Sequence, residues 1–328
     1  MKKRGKDNRS RCSICIPTPP QATKRAEKLP SELPKSLKDD PEAPQRLSAI
    51  KNSPSYRPAD EDYDFLREDS VRGVRLQIDY LKTELLLKEH KIEETISVFG
   101  GTRILEEAHA KRKLDKALEV YEKNPQNELL ARKVKIAQNV LNKSNFYNIA
   151  REFGRLVGTS RKSADDNTLT IMTGGGPGAM EAANRGAFDV GAKSIGLNIS
   201  LPREQFPNPY ITPELCFQLH YFSMRKLHFL KRTKALVAFP GGFGTLDELA
   251  ETLTLIQTRK IAPFPIVLVG EKFWRDAINF EHFLDEGLID FEDMGLFWYA
   301  ESAKEIWSSI IEWHEKNGKP LLKSNPVN

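Results

Sequence analysis

Short apolar runs alternate with amphipathic segments along the second half of the chain. Five runs after residue 163 have the length and composition of buried strands: LTIMT, KSIGLNI, CFQLHYF, ALVAF and PIVLVG. The segments between them place apolar residues three and four positions apart, which is the spacing of one helix face. Two more helices are predicted after the last of these strands, one from Phe273 to Gly287 and a final one at about 303–317. Strand and helix in alternation predict a parallel sheet that is covered by helices on both faces.

The region before residue 163 adds one strand and several helices. The stretch TISVFGG, from Thr95 to Gly101, predicts a buried strand that ends in glycines. Before it, an amphipathic helix with Ser70 as its cap is indicated by a stripe of apolar residues at Val71, Val74, Ile78, Leu81 and Leu85. Two more apolar stripes flank the turn NPQNE and predict a helical hairpin at about 104–141, whose stripes pack in the core. Together these elements predict one doubly wound α/β domain at about 68–320.

The first sixty residues have a different composition from the rest. They hold nine of the twenty prolines, and fourteen lysines and arginines against seven acidic residues. A segment with so few large apolar side chains cannot bury enough surface to fold, so we expect a disordered, basic tail over residues 1–60. The chain's net charge of +5 therefore comes from the tail, and the remainder is slightly acidic. Because aromatic residues do not alternate with the basic ones, a solvated tail is favoured over a nucleic-acid-binding segment.

Several classes of protein are disfavoured by composition. No apolar run approaches the roughly 18 residues of a membrane helix, and the N-terminus lacks the apolar centre of a secretory signal. Three cysteines do not form a disulfide framework, so we expect a reducing, cytoplasmic location. Cys12 and Cys15 have the spacing of half a zinc site, but no second pair completes it, and no metal is expected.

Two glycine-rich turns carry the candidate chemistry: TGGGPGAME, from Thr173 to Glu181, and PGGFGTLDE, from Pro240 to Glu248. Each follows a predicted strand and precedes a predicted helix. In parallel sheets, ligands bind beyond the carboxyl ends of the strands, where glycine lets a ligand approach the backbone and the helix N-terminus attracts a phosphate. Neither turn matches the G-x-G-x-x-G or P-loop patterns. We therefore expect a phosphate-bearing ligand.

The residues alone leave the role of Glu248 open. Thr245 and Glu248 have the spacing of a capping box, in which the glutamate would accept a hydrogen bond from a backbone amide. When this helix is considered alone, the capping role is favoured over a role in the site. The carboxylate is also placed to act on a ligand in the turn. Arg225 has a similar ambiguity, because MRKLHFLKR is a basic helix and such charges are usually solvated. Its place directly after a predicted strand, at the edge that carries the glycine turns, favours a role in the site.

Longer motifs resolve part of this ambiguity. PGGFGTLDE matches the PGGxGTxxE motif of the LOG ("Lonely guy") family, which is often labelled as possible lysine decarboxylases. Arg225-Lys226 matches the paired Arg-Lys of that family, and GGGPGAMEAANRGA at 174–187 matches its first glycine turn. The chain resembles this family from about Thr95 to Leu288, and the predicted hairpin interrupts the likeness. Asp247 stands where many members carry a second glutamate.

This resemblance implies a Rossmann-like fold and hydrolysis of the N-glycosidic bond of nucleoside 5′-monophosphates, of the AMP or cytokinin-nucleotide type. The products would be free base and ribose 5-phosphate, with no cofactor, and the protein would be at least a dimer. Arg225 and Glu248 would be the catalytic pair. The implied substrate-binding positions are Glu204, Lys226, Gly241, Gly242, Phe243, Gly244, Thr245, Thr254, Gly175, Gly176 and Glu181. Arg103 is also placed to reach the phosphate.

Two other functions remain as alternatives. A protein of this fold can carry or sense a nucleotide-like ligand, such as the molybdenum cofactor, without hydrolysing it. The joint presence of Arg225 and Glu248 favours the enzyme. A lysine decarboxylase needs a lysine that forms a Schiff base with pyridoxal phosphate, and the sequence singles out no such residue.

Overall fold

The computed structural model describes residue 25 and residues 27–160, 169–202 and 206–322. Seven strands form a single sheet in which every strand pair is parallel. The strands are β1 (Glu94–Phe99), β2 (Leu169–Thr173), β3 (Ser194–Ile199), β4 (Cys216–Leu219), β5 (Thr233–Ala238), β6 (Ile266–Val269) and β7 (Trp298–Ala300). The predicted α/β class is confirmed.

Helices connect the strands and precede the sheet. They are α1 (Ala43–Lys51), α2 (Tyr63–Arg67), α3 (Arg72–Glu89), α4 (Glu107–Glu122), α5 (Glu128–Asn142), α6 (Asn145–Thr159), α7 (Ala179–Asp189), α8 (Phe222–Lys231), α9 (Phe243–Gln257), α10 (Glu271–Ala277), α11 (Phe280–Asp285) and α12 (Ala303–Lys316). In the described part of the chain, no helix is long and apolar enough to cross a membrane.

The strand order positions the site. It runs β4-β3-β2-β1-β5-β6-β7, so the chain builds outward from β1 in one direction and then returns to the other side of β1. The reversal therefore falls between β1 and β5. The crevice at the carboxyl ends of two such strands is the usual ligand site of a doubly wound sheet. The glycine-rich ends of β1 and β5 both open into this crevice.

Strand residues alternate between two apolar layers, one on each face of the sheet. On β5, Leu236 and Ala238 pack with α8, α9 and α10. Ala235 and Val237 point the other way and pack with α6, α7 and α12. Because both faces are covered, the five inner strands consist almost entirely of buried residues, as is typical of a parallel sheet.

The amphipathic helix before β1 does not bury the stripe that marks it in the sequence. Thr83, Glu84 and Leu87 of α3 are buried. The predicted stripe is exposed at four positions: Val74, Ile78, Leu81 and Leu85. The buried face is anchored by an ion pair between Glu84 and Arg232, whose atoms lie 2.9 Å apart. The spacing of apolar residues cannot reveal a face that is buried through an ion pair. The predicted stripe therefore marks the wrong face of α3.

The described residues up to Val71 form one compact unit, and those from Arg72 onward form another. Helix α1 lies within residues 1–60, where we predicted a disordered tail, while residues 1–24, including Cys12 and Cys15, lie outside the described residues. The boundaries of 1–60 and 68–320 remain predictions.

The predicted hairpin is present as α4 and α5, and Asn127 caps α5 by accepting the amides of Leu129 and Leu130. Its stripes do not enter the sheet core as expected. Ala110 and Leu114 are the residues of α4 that are buried, and α5 has none among the described residues. The two helices therefore bury their apolar sides mainly against each other.

Candidate active site

The site is built on three turns that touch one another at the carboxyl ends of β1, β2 and β5. The amide of Gly101, after β1, donates to the carbonyl of Pro240, after β5, at 2.9 Å. The carbonyl of Gly101 accepts from the amide of Ala179, in the first turn of α7, at 3.4 Å. A side chain at Gly178, whose φ is +82°, would collide with the Gly101 carbonyl. The sequence thus needs glycine at 178 for this close backbone contact.

Helix α9 begins at Phe243, three residues earlier than a capping box with Thr245 as N-cap would place it. Its N-cap is Gly242, and no side chain caps the helix. Thr245 is therefore already helical, and its side chain lies against Gly241. The Glu248 carboxylate makes no hydrogen bond to any described residue, so the capping role favoured on sequence is wrong. The amides of the first turn of α9 remain directed at the crevice.

A cavity of about 290 Å³ lies between these turns and contains both predicted catalytic side chains, Arg225 and Glu248. Nη1 of Arg225 is 3.8 Å from Oε1 of Glu248. Its Nε donates to the carbonyl of Leu197, at 2.8 Å. A Cβ at Gly174 would collide with the guanidinium, so the first glycine turn leaves room for it. The cavity thus combines a fixed cation, a carboxylate and a helix N-terminus.

Burial dominates the electrostatics of this pair. Glu248 is 3% exposed. Burial raises its pKa to about 7, although the charges of Lys226 and Arg225 oppose that rise. Burial also lowers the pKa of Arg225, and the charge of Glu248 offsets part of this shift. Arginine nevertheless stays protonated. Glu248 is therefore a carboxylate that changes its protonation near neutral pH.

Comparisons with known proteins agree with the motifs. The family described as "Possible lysine decarboxylase" matches residues 180–310, which include Arg225-Lys226 and the second glycine turn. A cytokinin riboside 5′-monophosphate phosphoribohydrolase of Arabidopsis thaliana is 28% identical over 164 residues, which are 48% of this chain and 75% of that protein. A pyrimidine/purine nucleotide 5′-monophosphate nucleosidase of Escherichia coli is 29% identical over 194 residues. This second match covers 56% of this chain but 38% of the longer relative.

The resemblance to the LOG family is confirmed. Among solved structures, the Moco carrier protein from Chlamydomonas reinhardtii overlays with a TM-score of 0.39 and 20% identity, covering 68% of this chain and 99% of that one. An overlay this loose says nothing about activity.

The structure places the residues implied by the LOG resemblance in different surroundings. Gly242, Gly244 and Thr245 line the cavity with Arg225 and Glu248. Gly241 lies beside Thr245 at its edge, and Phe243 is 92% exposed. Glu204 lies outside the described residues.

Lys226 points away from the cavity lining. Its Nζ lies 2.9 Å from carboxylate oxygens of both Asp247 and Glu251. Burial lowers the pKa of Lys226, but these two hydrogen bonds outweigh that effect and bring it above its usual value. Asp247, the departure from the family pattern, thus holds this lysine in place.

Glu181, Gly175 and Gly176 lie behind the cavity. Glu181 accepts a hydrogen bond from Tyr147 at 2.8 Å. The carbonyls of Gly175 and Gly176 each accept from Nδ2 of Asn208 at 3.2 Å. These glycines shape the first turn, and a direct contact with a ligand remains a prediction.

Thr254 lies on the opposite side of α9, where it lines a larger, mainly apolar cavity of about 580 Å³. Arg225, Glu248 and the glycines of the two turns do not line this larger cavity. In the described residues, Thr254 is therefore not placed to contact a substrate that is bound beside Arg225 and Glu248. Among those residues, no group of three or more histidines, cysteines or acids is placed to hold a metal ion.

Phe222 and Thr102 are among the cavity-lining residues that the sequence analysis missed. Phe222 lies three positions before Arg225 on α8, and the guanidinium carbon is 5.8 Å from its ring centre. Thr102 follows the glycine pair after β1 and lines the same cavity. The helical spacing to Arg225 would have indicated Phe222, and a glycine pair after the first strand would have indicated Thr102.

Proposed function

We propose that this chain hydrolyses the N-glycosidic bond of nucleoside 5′-monophosphates to free base and ribose 5-phosphate. One observation carries the proposal: Arg225 and Glu248 meet in one cavity at the switch point of the sheet, beside the N-terminus of α9. The names of the LOG-type relatives support nucleotide hydrolysis at the level of the family.

The geometry suits the charges that develop during this reaction. Breaking the glycosidic bond leaves positive charge on the anomeric carbon and negative charge on the departing base. We assign Glu248 to the ribose, where a buried carboxylate stabilises positive charge and orients water. The amides at Phe243 and Gly244, with Thr102 and Thr245, hold the 5′-phosphate. Arg225 positions the substrate and assists departure of the base.

Apolar side chains in the cavity lining give the base a surface to pack against. It is formed by Met180, Ile199, Leu201 and Phe222. A flat base lies against such side chains without needing many specific hydrogen bonds. The phosphate, held away from the reacting carbon, would then provide binding energy for orientation at that carbon.

A nucleotide panel tests the proposal. Purified protein is incubated with AMP, GMP, CMP and UMP, and the free base and the sugar phosphate are quantified by chromatography. We expect equal amounts of base and ribose 5-phosphate from at least one nucleotide. Tight binding of nucleotides with no release of base from any of them would contradict hydrolysis and favour a carrier.

We also propose that the chain forms at least a dimer. The LOG resemblance supports this, as does the exposed apolar stripe of α3, because single exposed apolar residues are common but an ordered row of four is not. Light scattering should give a mass of at least two chains. Replacing Ile78 and Leu85 with serine should shift the mass toward one chain, whereas serine at the exposed Leu129 of α5 should not. A wild-type mass of one chain would overturn the proposal.

A further inference from the structure

A second cavity, of about 270 Å³, adjoins the candidate active site on the side of the helical hairpin. Thr102 and Arg103 form its near wall, and Lys113 of α4 and Lys133 of α5 contribute from the hairpin. Thr102 lines both cavities. The two cavities therefore meet at this residue.

The charge of this second cavity is unbalanced. Arg103, Lys113 and Lys133 line it, and no acidic side chain from the described part of the chain does. None of the three forms an ion pair or side-chain hydrogen bond with another described residue. Elsewhere on the hairpin, by contrast, Lys123 pairs with Glu119 at 2.8 Å.

The remaining walls of the cavity are apolar. Ile136 and Val140 of α5 face the loop after β1. Arg103, Lys113 and Lys133 are exposed to solvent, so they attract a bound anion through a partly aqueous environment. The arrangement is that of a small anion site whose cations are supplied by two different helices.

The position of Arg103, Lys113 and Lys133 beside the candidate active site indicates a phosphate as their ligand. The loop that carries Thr102 is tied to the second glycine turn through Gly101 and Pro240. A 5′-phosphate held at the start of α9 would have Thr102 beside it and the three cations beyond. A terminal phosphate carries close to two negative charges at neutral pH, which suits such a cluster.

We propose that Arg103, Lys113 and Lys133 form a subsite for a second phosphate, so that the chain accepts nucleoside 5′-diphosphates. This inference rests on the proposed function. The reaction is the same hydrolysis: water gives its hydroxyl to the anomeric carbon and a proton to the departing base, and the carbon–nitrogen bond breaks. The sugar product is ribose 5-diphosphate, and no oxidant or reductant takes part.

Paired variants of the full chain test the subsite. Lys113→Ala/Lys133→Ala removes the two lysines of the cavity. Lys111→Ala/Lys135→Ala is the matched control, because it removes the same charge from the same two helices at positions that do not line the cavity. For each protein, kcat/KM is measured with AMP and ADP, and the affinity for each nucleotide by calorimetry. Mass spectrometry of the sugar product shows whether ADP was cleaved intact or after loss of a phosphate.

We expect the ADP-to-AMP ratio, in both kcat/KM and affinity, to fall at least about tenfold in the cavity variant and to be unchanged in the control. Equal ratios in the two variants would identify the lysines as ordinary surface charges and overturn the inference. Wild-type protein that cleaves AMP but neither binds nor cleaves ADP would also overturn it while leaving the proposed function intact. If neither nucleotide is cleaved, the proposed function fails, and the affinity ratios still decide the subsite.

Discussion

Glu248→Gln is expected to lower kcat for nucleoside monophosphates about a thousandfold. The substitution keeps the size of the side chain but removes the only carboxylate among the described residues that line the cavity. Positive charge on the anomeric carbon would then develop beside a neutral amide and a guanidinium. Steady-state release of free base measures the effect. Turnover at the wild-type rate would exclude Glu248 from the chemistry.

The pH dependence of the same variant identifies the titrating group. Glu248 acts in its ionised form, and its pKa is raised to about 7 by burial, so wild-type kcat/KM should increase as the pH rises through about 7. This increase should disappear in Glu248→Gln. The second ionisation of the substrate phosphate, near pH 6, is common to both proteins and serves as an internal reference. An unchanged profile in the variant would assign the titration to another group.

Stability distinguishes loss of chemistry from loss of fold. The folded-state pKa of Glu248 lies above its usual 4.5, so the folded protein binds this proton more tightly than the unfolded chain does. The free energy of unfolding therefore decreases as the pH rises from about 4.5 through 7. Glutamine has no such charge to bury, and Glu248→Gln should melt at the wild-type temperature or above at pH 8.

Arg225→Lys is expected to lower kcat/KM about a hundredfold, although it preserves the positive charge. The guanidinium donates to the Leu197 carbonyl through Nε while Nη1 faces Glu248. A lysine ammonium is a single point of charge and cannot occupy both places. Kinetics with the preferred monophosphate measure the loss.

Lys231→Ala is the control for Arg225→Lys. It removes a charge from the same helix, where Lys231 pairs with Glu84 at 3.0 Å and does not line the cavity. Its kcat/KM should stay within about threefold of wild type. If the two variants behaved alike, the loss in Arg225→Lys would reflect a general disturbance of α8 and not the position of the guanidinium.

The parallel sheet was predictable because its strands are buried on both faces. The strand predicted at LTIMT has the same boundaries as β2. The strand predicted to begin at Thr95 is β1, which begins one residue earlier, at Glu94. β7 was missed, since Trp298–Ala300 is too short to give a pattern. The single helix predicted from Phe273 to Gly287 is two helices, because Asn279 accepts the amide of His282 and starts a new one.

The site was predictable in part. Motif order brought Arg225 and Glu248 to one edge, and the structure places them in one cavity. The start of α9 was not predictable, because Gly242 and Thr245 are both acceptable N-caps and tertiary contacts decide between them. Thr254 shows the same limit: a helix position in sequence does not say which of two cavities the side chain will line.

The location of the hairpin within the strand order has a consequence for engineering. It lies in the connection that leaves β1, the strand at which the chain changes direction. The hairpin therefore reaches the ligand crevice without interrupting the pairing of the strands in the sheet. Replacing residues 105–143 with a short turn should therefore leave the catalytic scaffold intact while removing the hairpin side of the cavity that Lys113 and Lys133 line. Grafting different hairpins at this point offers a modular route to new ligand selectivity.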